Sequence, residues 1–261
     1  MNKILIGLYT GNTVPDTMTP NVIDMIYDLI AHDQLAGWSS SGAKGFVHAS
    51  SCRVDSNRNK LIMEFLRHPE ATHLFILDAD MMHPPQMPRL LASRNLPIVT
   101  GTYFARDTSG GGEYPPQLYH FEGVSPDTRP GYGKDVNNYY RMMVQEAAEF
   151  YASLPDIPYT NGPMVLTNAD GGLIDSAIIP IDAAGFGCVC ISREAAEAID
   201  PPWLQDEPGL NGDLAFYKKA AAYGIKAFGD LSLIASHIQT QRLGIAAFCD
   251  FINKSVSNAS H

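Results

Sequence analysis

The sequence predicts an α/β protein with a mostly parallel central sheet flanked by helices. Short apolar runs alternate with amphipathic stretches over the first hundred of the 261 residues, and each run ends in a polar loop. Strands that alternate with helices in this way are typical of doubly wound sheets. Apolar residues make up 45% of the chain and charged residues 18%, a balance that excludes a largely disordered protein.

The first half of the chain carries the clearest alternation. Thr19 and Pro20 suit the start of a helix with an apolar stripe, and Asp55 suits the cap of the next helix. A short helix through Leu90 and Leu91 precedes the fourth strand. The predicted strands of this half are residues 3–10, 45–49, 73–77 and 97–101.

The middle of the chain changes character. Residues 106 to about 140 are rich in Gly, Pro, Tyr and Asp, which is typical of a lid, a binding loop or an insertion, and we take 106–176 as the insertion. We therefore expect one domain over 1–261, with halves 1–105 and 177–261 around this insertion. The other predicted strands are 177–181, 187–191, 226–228 and 233–235, and the other predicted helices are 141–152, 193–199, 213–223 and 243–252.

Charge and cysteine usage narrow the function classes. Lys and Arg number 18 and Asp and Glu 28, so the net charge of −10 disfavours a protein that coats nucleic acid. No apolar run reaches the ~20 residues of a membrane helix, and the apolar start is too short for a signal peptide. The four cysteines form no secreted disulfide framework. We expect a cytoplasmic protein with reduced thiols.

The sharpest motif is a pair of carboxylates directly after a strand. Asp78 and Asp80 follow the apolar run 73–77, and open parallel sheets bind ligands beyond the carboxyl ends of their strands. Two carboxylates so close favour a hard divalent cation such as Mg²⁺ or Mn²⁺. The alternative is a pair of solvated loop aspartates, one of which caps the next helix.

Five segments, in order, resemble the GT-A-fold glycosyltransferases of the broad family 2 type, in particular short soluble members from bacterial and phage genomes. The resemblance covers roughly residues 3–105 and 177–240. Its strongest part is the strand that ends in Asp78-Ala79-Asp80. The segments are Arg58-Asn59 with 63–66, 72–81 with 84–91, 182–191, 212–216 with 224–226, and His237.

On the donor side, the resemblance implies a divalent metal, Mn²⁺ or Mg²⁺, bound by Asp80 and His237. Asp78 would contact the nucleotide sugar, or the metal directly or through water. The alternative for His237 is a structural histidine, and His83 competes for the ligand role. The other residues that the resemblance places at the nucleotide are Thr10, Arg58, Asn59 and Arg106.

On the acceptor side, the resemblance implies that Asp213 is the general base of an inverting reaction. Its alternative role is the N-cap of the following helix, and Gly212 departs from the acidic residue common in the family. The residues placed near the acceptor are Asp182, Gly185, Gly187 and Trp203, for which a tight turn and loop packing are the alternatives. Cys188 and Cys190 suit core packing better than a metal site.

The resemblance implies transfer of a sugar from a nucleoside diphosphate sugar, with a UDP-sugar as the expected donor, to a hydroxyl group. The acceptor could be a glycan, a protein or a hydroxymethylated DNA base. For DNA, the central loop would have to supply a cationic rim, formed by Arg106, Arg129, Lys134 and Arg141. The alternatives are a nucleotidyltransferase, which the lack of basic residues in 11–15 disfavours, and a non-catalytic nucleotide- or glycan-binding relative, which Gly212 keeps open.

Overall fold

The computed structural model describes residues 1–10, 18–39, 42–43, 45–50, 54–104, 115–123, 139–155, 160–207 and 210–238. The helices within these ranges are α1 (Met18–Ala31), α2 (Val54–Leu66), α3 (Met87–Ser93), α4 (Val144–Ala152), α5 (Arg193–Ala198) and α6 (Gly212–Ala222), with a 3₁₀ turn at Asp175–Ala177. The strands are β1 (Ile4–Thr10), β2 (Trp38–Ser39), β3 (Gly42–Ala43), β4 (Phe46–Ser50), β5 (His73–Asp78), β6 (Met81–Met82), β7 (Ile98–Thr102), β8 (Leu118–Gly123), β9 (Tyr139–Met142), β10 (Met164–Val165), β11 (Ile178–Ile181), β12 (Ala183–Ala184), β13 (Cys188–Ser192), β14 (Ala227–Ile234) and β15 (Ser236–His237).

The central sheet has eight strands and draws on both halves of the chain. Its order is β10-β14-β7-β13-β5-β1-β4, with β11 also paired to β14. Strand β1 is parallel to β4 and β5, and β14 is parallel to β7. Since β13 is antiparallel to both β5 and β7, the strands β4, β1, β5, β7 and β14 all run in one direction. The predicted mostly parallel α/β sheet is thereby confirmed.

Strand β13 runs against its two neighbours at the centre of the sheet and is buried on both faces. Cys188 and Cys190 lie on it as buried free thiols, and burial raises the pKa of Cys188 to about 12. Burial also raises the pKa of Cys190. The two cysteines therefore act as core residues, as the packing alternative predicts.

Helices cover both faces of the sheet. Helices α1 and α3 pack together on one face, over a core that includes Ile4, Phe75 and Val99. Helices α2, α5 and α6 pack together on the other face, over a core that includes Leu74 and Phe216. Among the described residues, no helix is both long enough and apolar enough to cross a membrane.

Two predicted strands, 226–228 and 233–235, are one strand in the structure. The sequence between them looks like a turn because it holds Gly229, Asp230 and Ser232, yet β14 continues through it with a register irregularity. The buried Asp230 carboxylate accepts hydrogen bonds from Arg94 Nε at 2.9 Å and from the Ser232 backbone N–H at 2.9 Å. Because these partners satisfy its charge, the aspartate is tolerated inside the sheet.

Other boundaries also differ from the prediction. Helix α4 begins at Val144 rather than at 141, because residues 139–142 form β9 and pair with β8. Helix α2 begins at Val54, so Asp55 lies in its first turn instead of capping it. The predicted closing helix at 243–252 lies outside the described residues.

Candidate active site

The carboxyl end of β5 lies next to the segment 236–238, on the side of the sheet where the parallel strands end. The short strands β6 and β15 pair antiparallel, which sets His237 opposite Met81. The Ile238 backbone N–H donates to the Asp80 carbonyl at 2.7 Å, so Asp80 and His237 lie on neighbouring backbones. This pairing joins residues separated by more than 150 positions in sequence, and it places the carboxylate pair next to the predicted late histidine.

His237 has its ring fixed by the protein. Its Nδ1 lies 2.7 Å from the Phe104 carbonyl oxygen, and because a carbonyl only accepts, Nδ1 carries the proton. The ring also stacks edge-on against Tyr103, with 5.3 Å between centroids. A hydrogen bond from Nδ1–H to a carbonyl fixes the ring orientation and the tautomer, as is usual in metal-ligating histidines.

The donor set at this edge fits a divalent metal. Asp80 offers carboxylate oxygens and His237 an imidazole nitrogen, which suit Mn²⁺ or Mg²⁺ completed by ligand and water oxygens. Within the ranges that the structure describes, no three His, Cys, Asp or Glu side chains converge on one metal position. A metal here would thus depend on two protein side chains and on the oxygens of a bound substrate.

A buried arginine, Arg58, bridges Asp78 and Asp213. Arg58 Nη2 donates to both carboxylate oxygens of Asp78 at 3.0 Å, and Nη1 donates to Asp213 Oδ1. The Arg58 side chain is 4% exposed, against 21% for Asp78 and 22% for Asp213. Although burial alone would lower its pKa, the two carboxylates raise the pKa of Arg58 above its usual value. In this structure Arg58 contacts carboxylates, so the geometry gives no support to its predicted contact with a phosphate.

Asp213 is not the cap of its helix. Asn211 caps α6, because its side chain accepts a hydrogen bond from the Leu214 backbone N–H at 3.0 Å. Asp213, in the first turn, instead turns its carboxylate toward Arg58 and toward the Phe186 N–H, which lies 3.4 Å from Oδ2. Burial raises the pKa of the Asp213 carboxyl, and the Arg58 guanidinium opposes that rise. The N-cap alternative is therefore wrong, and the general-base role of Asp213 stays a prediction.

The glycines at 185 and 187 make room for a neighbouring side chain. A Cβ at Gly185 would lie 1.9 Å from the Tyr103 hydroxyl oxygen, and one at Gly187 would lie 2.9 Å from Tyr103 Cζ. The Gly187 N–H also donates to the Tyr103 hydroxyl at 3.3 Å. The space that was expected to admit substrate is filled by the buried Tyr103 ring. The two glycines accommodate Tyr103, and their predicted acceptor role stays a prediction without support from these contacts.

Replacing Gly185 with alanine should destabilise the protein by about 1–3 kcal/mol, because the new methyl group overlaps the Tyr103 hydroxyl. Denaturant unfolding measures the loss. Gly162→Ala is a matched control, since a Cβ there meets only Thr160 Oγ1 at 3.5 Å. Adding Tyr103→Phe should recover part of the loss in Gly185→Ala. Equal stability of the Gly185 and Gly162 variants would contradict this assignment.

His83 lies beneath the site and is fully buried. Its Nε2 donates to the Gly187 carbonyl at 2.8 Å, and its backbone is held by Asn21 through two hydrogen bonds. Nδ1 has no hydrogen-bond partner among the residues that the structure describes. Burial lowers the pKa of His83 to about 4, so the ring stays neutral at physiological pH. These contacts give His83 a supporting position under Gly187.

The buried His83 should make stability depend on pH. Between pH 6.5 and 4 the unfolded chain binds a proton at this residue and the folded chain does not, so the free energy of unfolding falls as pH falls through this window. The loss from this group is about 3 kcal/mol. His83→Gln keeps a donor for Gly187 and should flatten the dependence of the melting temperature on pH. Identical pH profiles for the two proteins would refute this account.

The remaining predicted residues have other partners. Asn59 uses both ends of its amide on Leu204, donating to the carbonyl at 2.6 Å and accepting from the N–H at 3.0 Å. Asp182 Oδ2 lies 2.8 Å from His120 Nδ1 and accepts from the Phe121 N–H at 2.8 Å. Trp203 is buried, and its indole N–H donates to the Ala196 carbonyl at 2.9 Å. Their nucleotide and acceptor roles thus stay predictions without support from these contacts.

Two predicted residues fall at the limit of the structure. Thr10 ends β1 and its backbone pairs with Ser50, while its side chain lies outside the described part, so its predicted contact with the nucleotide stays a prediction. Arg106 also lies outside the described residues, as do Arg129, Lys134 and the side chain of Arg141.

Sequence reasoning missed Tyr103. This residue follows β7, is buried, and contacts both Gly187 and His237. Burial raises its pKa strongly, with further contributions from Asp78 and Asp213. A usable signal was present, because the closely spaced Gly185 and Gly187 indicate that something bulky approaches their backbone.

Comparison with known proteins supports the architecture. No known family model matches the sequence, and no curated protein matches it significantly. Among solved structures, A197 from STIV is similar with a TM-score of 0.53 and 16% identity, over 94% of this chain and 90% of that one. GalNAc-T7 with UDP, GalNAc and Mn²⁺ is similar with a TM-score of 0.51 and 12% identity, over 93% of this chain and 44% of that longer one. The chain has a GT-A-like α/β fold.

Proposed function

We propose that this protein is a metal-dependent, inverting glycosyltransferase that uses a nucleoside diphosphate sugar, with UDP as the expected nucleotide. The observation that carries the proposal is one edge of the sheet where Asp80 and His237 are brought together by the β6–β15 pairing, next to an Asp78–Arg58–Asp213 chain of ion pairs. The similar fold of GalNAc-T7, solved with UDP, GalNAc and Mn²⁺, supports it.

The donor end of the site is formed by Asp78, Asp80 and His237. Asp80 and His237 would hold Mn²⁺ or Mg²⁺, which when bound supplies Lewis-acid stabilisation of the departing diphosphate. Asp78 lies at the end of β5 with its carboxylate against Arg58, and we assign it the nucleotide sugar. Arg58 holds the Asp78 carboxylate in place through hydrogen bonds to both of its oxygens, and the remaining lone pairs can accept hydrogen bonds from sugar hydroxyls.

The acceptor end is formed by Asp213. A base that removes the proton of an attacking hydroxyl needs an ionised carboxylate whose pKa is not far below the working pH. Burial raises the pKa of Asp213 in that direction. Attack by the hydroxyl on the face opposite the leaving diphosphate would invert the anomeric centre. The acceptor hydroxyl could belong to a glycan, a protein or a hydroxymethylated DNA base.

The proposal can be tested with a panel of UDP, GDP, CMP and dTDP sugars, each with and without Mn²⁺, followed by thermal shift and by release of nucleotide. Ligands that bind only the native state raise its melting temperature. A shift that requires both Mn²⁺ and one nucleotide class, with slow hydrolysis of that sugar, is the expected result. Metal-dependent binding without any turnover would instead favour a non-catalytic binding relative.

A nucleotidyltransferase is the alternative from another enzyme class, and a second assay with a nucleoside triphosphate and a sugar phosphate separates it. Such an enzyme would bind a nucleoside triphosphate and release pyrophosphate when a sugar phosphate is added. Release of pyrophosphate, with no shift from any nucleotide sugar, would overturn the glycosyltransferase proposal.

A further inference from the structure

We propose that Arg58 is a positioning residue for the Asp213 base, which it fixes relative to Asp78. This inference rests on the proposed function, because the effect on rate assumes that Asp213 accepts the acceptor proton. It changes the role of Arg58 from the predicted contact with a phosphate to a bridge inside the protein.

The hydrogen bonds of Arg58 point to a bridge. Arginine commonly grips a single carboxylate through two parallel N–H groups. Here Nη1 donates to Asp213 and Nη2 to Asp78, whereas Nε is buried and has no hydrogen-bond partner among the described residues. A buried donor without a partner lowers stability. The guanidinium keeps this orientation because it lets Arg58 bond both carboxylates at once.

The guanidinium is also held from its sides. Its Cζ lies 4.9 Å from the centroid of the Phe186 ring and 5.6 Å from that of the Tyr9 ring. The Phe186 backbone N–H in turn approaches Asp213 Oδ2 at 3.4 Å. Phe186 therefore restrains both partners of one ion pair. The planar guanidinium contacts both rings and bonds Asp213 through Nη1 and Asp78 through Nη2. Together these contacts fix the direction of the Asp213 carboxylate.

Lysine cannot reproduce this arrangement. Its ammonium is a compact point charge without the planar fork, so it can neutralise one carboxylate but cannot hold two in a set geometry or stack between rings. Asp78 and Asp213 repel each other when both are ionised, and Asp78 is among the groups that raise the pKa of Asp213. The Arg58→Lys variant should therefore keep the charge and lose the alignment.

The first experiment compares Arg58→Lys with Arg94→Lys. Arg94 is a matched control, because it is also buried and bridges two aspartates, Asp230 and Asp175, away from the site. At saturating donor and acceptor, kcat of Arg58→Lys should fall ~100-fold, since a small misplacement of a reacting group has effects of that order. Arg94→Lys should lose melting temperature but keep kcat within about threefold of wild type. A kcat within that range for folded Arg58→Lys would overturn the inference.

The second experiment uses Arg58→Gly with added guanidinium at concentrations below those that unfold the protein. Guanidinium should restore kcat in this variant by at least about tenfold and have no such effect on Arg94→Gly. Lack of rescue in folded Arg58→Gly would argue against the bridge.

A readout without turnover separates this inference from the proposed function. Carbon-13 signals of the Asp78 and Asp213 carboxyl groups should both change between wild type and Arg58→Gly, and both should return toward wild type as guanidinium is added. If wild type transfers no sugar but both signals respond, the proposed function fails and the bridge stands. If wild type is active and neither signal responds, the positioning role of Arg58 fails.

Discussion

Replacing Asp80 with asparagine should lower sugar transfer at least ~10³-fold, because the variant keeps the shape of the side chain and loses the charge that a divalent metal requires. The Asp80 backbone stays bonded to Ile238, so the β6–β15 pairing should persist and the fold should be retained. The Mn²⁺-dependent part of the thermal shift with the donor should disappear in parallel. Turnover at several Mn²⁺ concentrations measures the loss.

The controls for this prediction come from the same strand pair and from the surface. His237→Gln should show a similar loss of metal dependence, since it removes the imidazole nitrogen that the proposed site contributes as a metal ligand. Asp24→Asn removes an exposed carboxylate on α1 and should leave both activity and the Mn²⁺ response unchanged. An Asp80 variant with full activity that ignores added metal would eliminate the metal-dependent mechanism.

The parts of the fold that could be predicted are those set by local pattern. The apolar run 73–77 ends in two aspartates, and the structure ends β5 at Asp78 as this pattern indicates. The strand directions could not be predicted, because β13 has the same apolar pattern whether it runs with or against β5. The continuity of β14 was also hidden, since it depends on Arg94, 136 residues away in sequence, which neutralises Asp230.

In the candidate site, too, local sequence pattern was enough to predict some features, while others depend on contacts between residues distant in sequence. Residue types and order in the chain were enough to select Asp78, Asp80, Asp213 and His237, because each follows a strand or opens a helix. The contacts of these residues could not be predicted, because Arg58 lies 155 residues from Asp213 in sequence and reaches it only through the packing of α2 against α6. Tyr103 was missed for a related reason. Its role is defined by the two glycines it fills rather than by any motif around it.

Asp213→Asn should be the most selective test of the chemistry. The amide matches the carboxylate in size, and its one carbonyl oxygen can still accept from Arg58, whereas the long 3.4 Å contact from the Phe186 N–H to the other oxygen is lost. The fold and the donor-side residues should therefore be preserved. A neutral amide cannot take the proton of an attacking hydroxyl, and loss of a general base typically lowers kcat by 10²–10⁴-fold. We therefore expect kcat to fall by about 10³-fold.

The decisive comparison is between kcat and donor binding in this variant. Because Asp78, Asp80 and His237 remain, the Mn²⁺-dependent thermal shift with the donor should match that of wild type. Asp24→Asn, at an exposed carboxylate on α1, again provides the reference. If Asp213→Asn retains wild-type kcat, the acceptor proton goes to another group. If instead donor binding is lost with kcat unchanged at saturation, Asp213 belongs to the donor end of the site, and the division of the Arg58-linked carboxylates into a donor end and an acceptor end must be reversed.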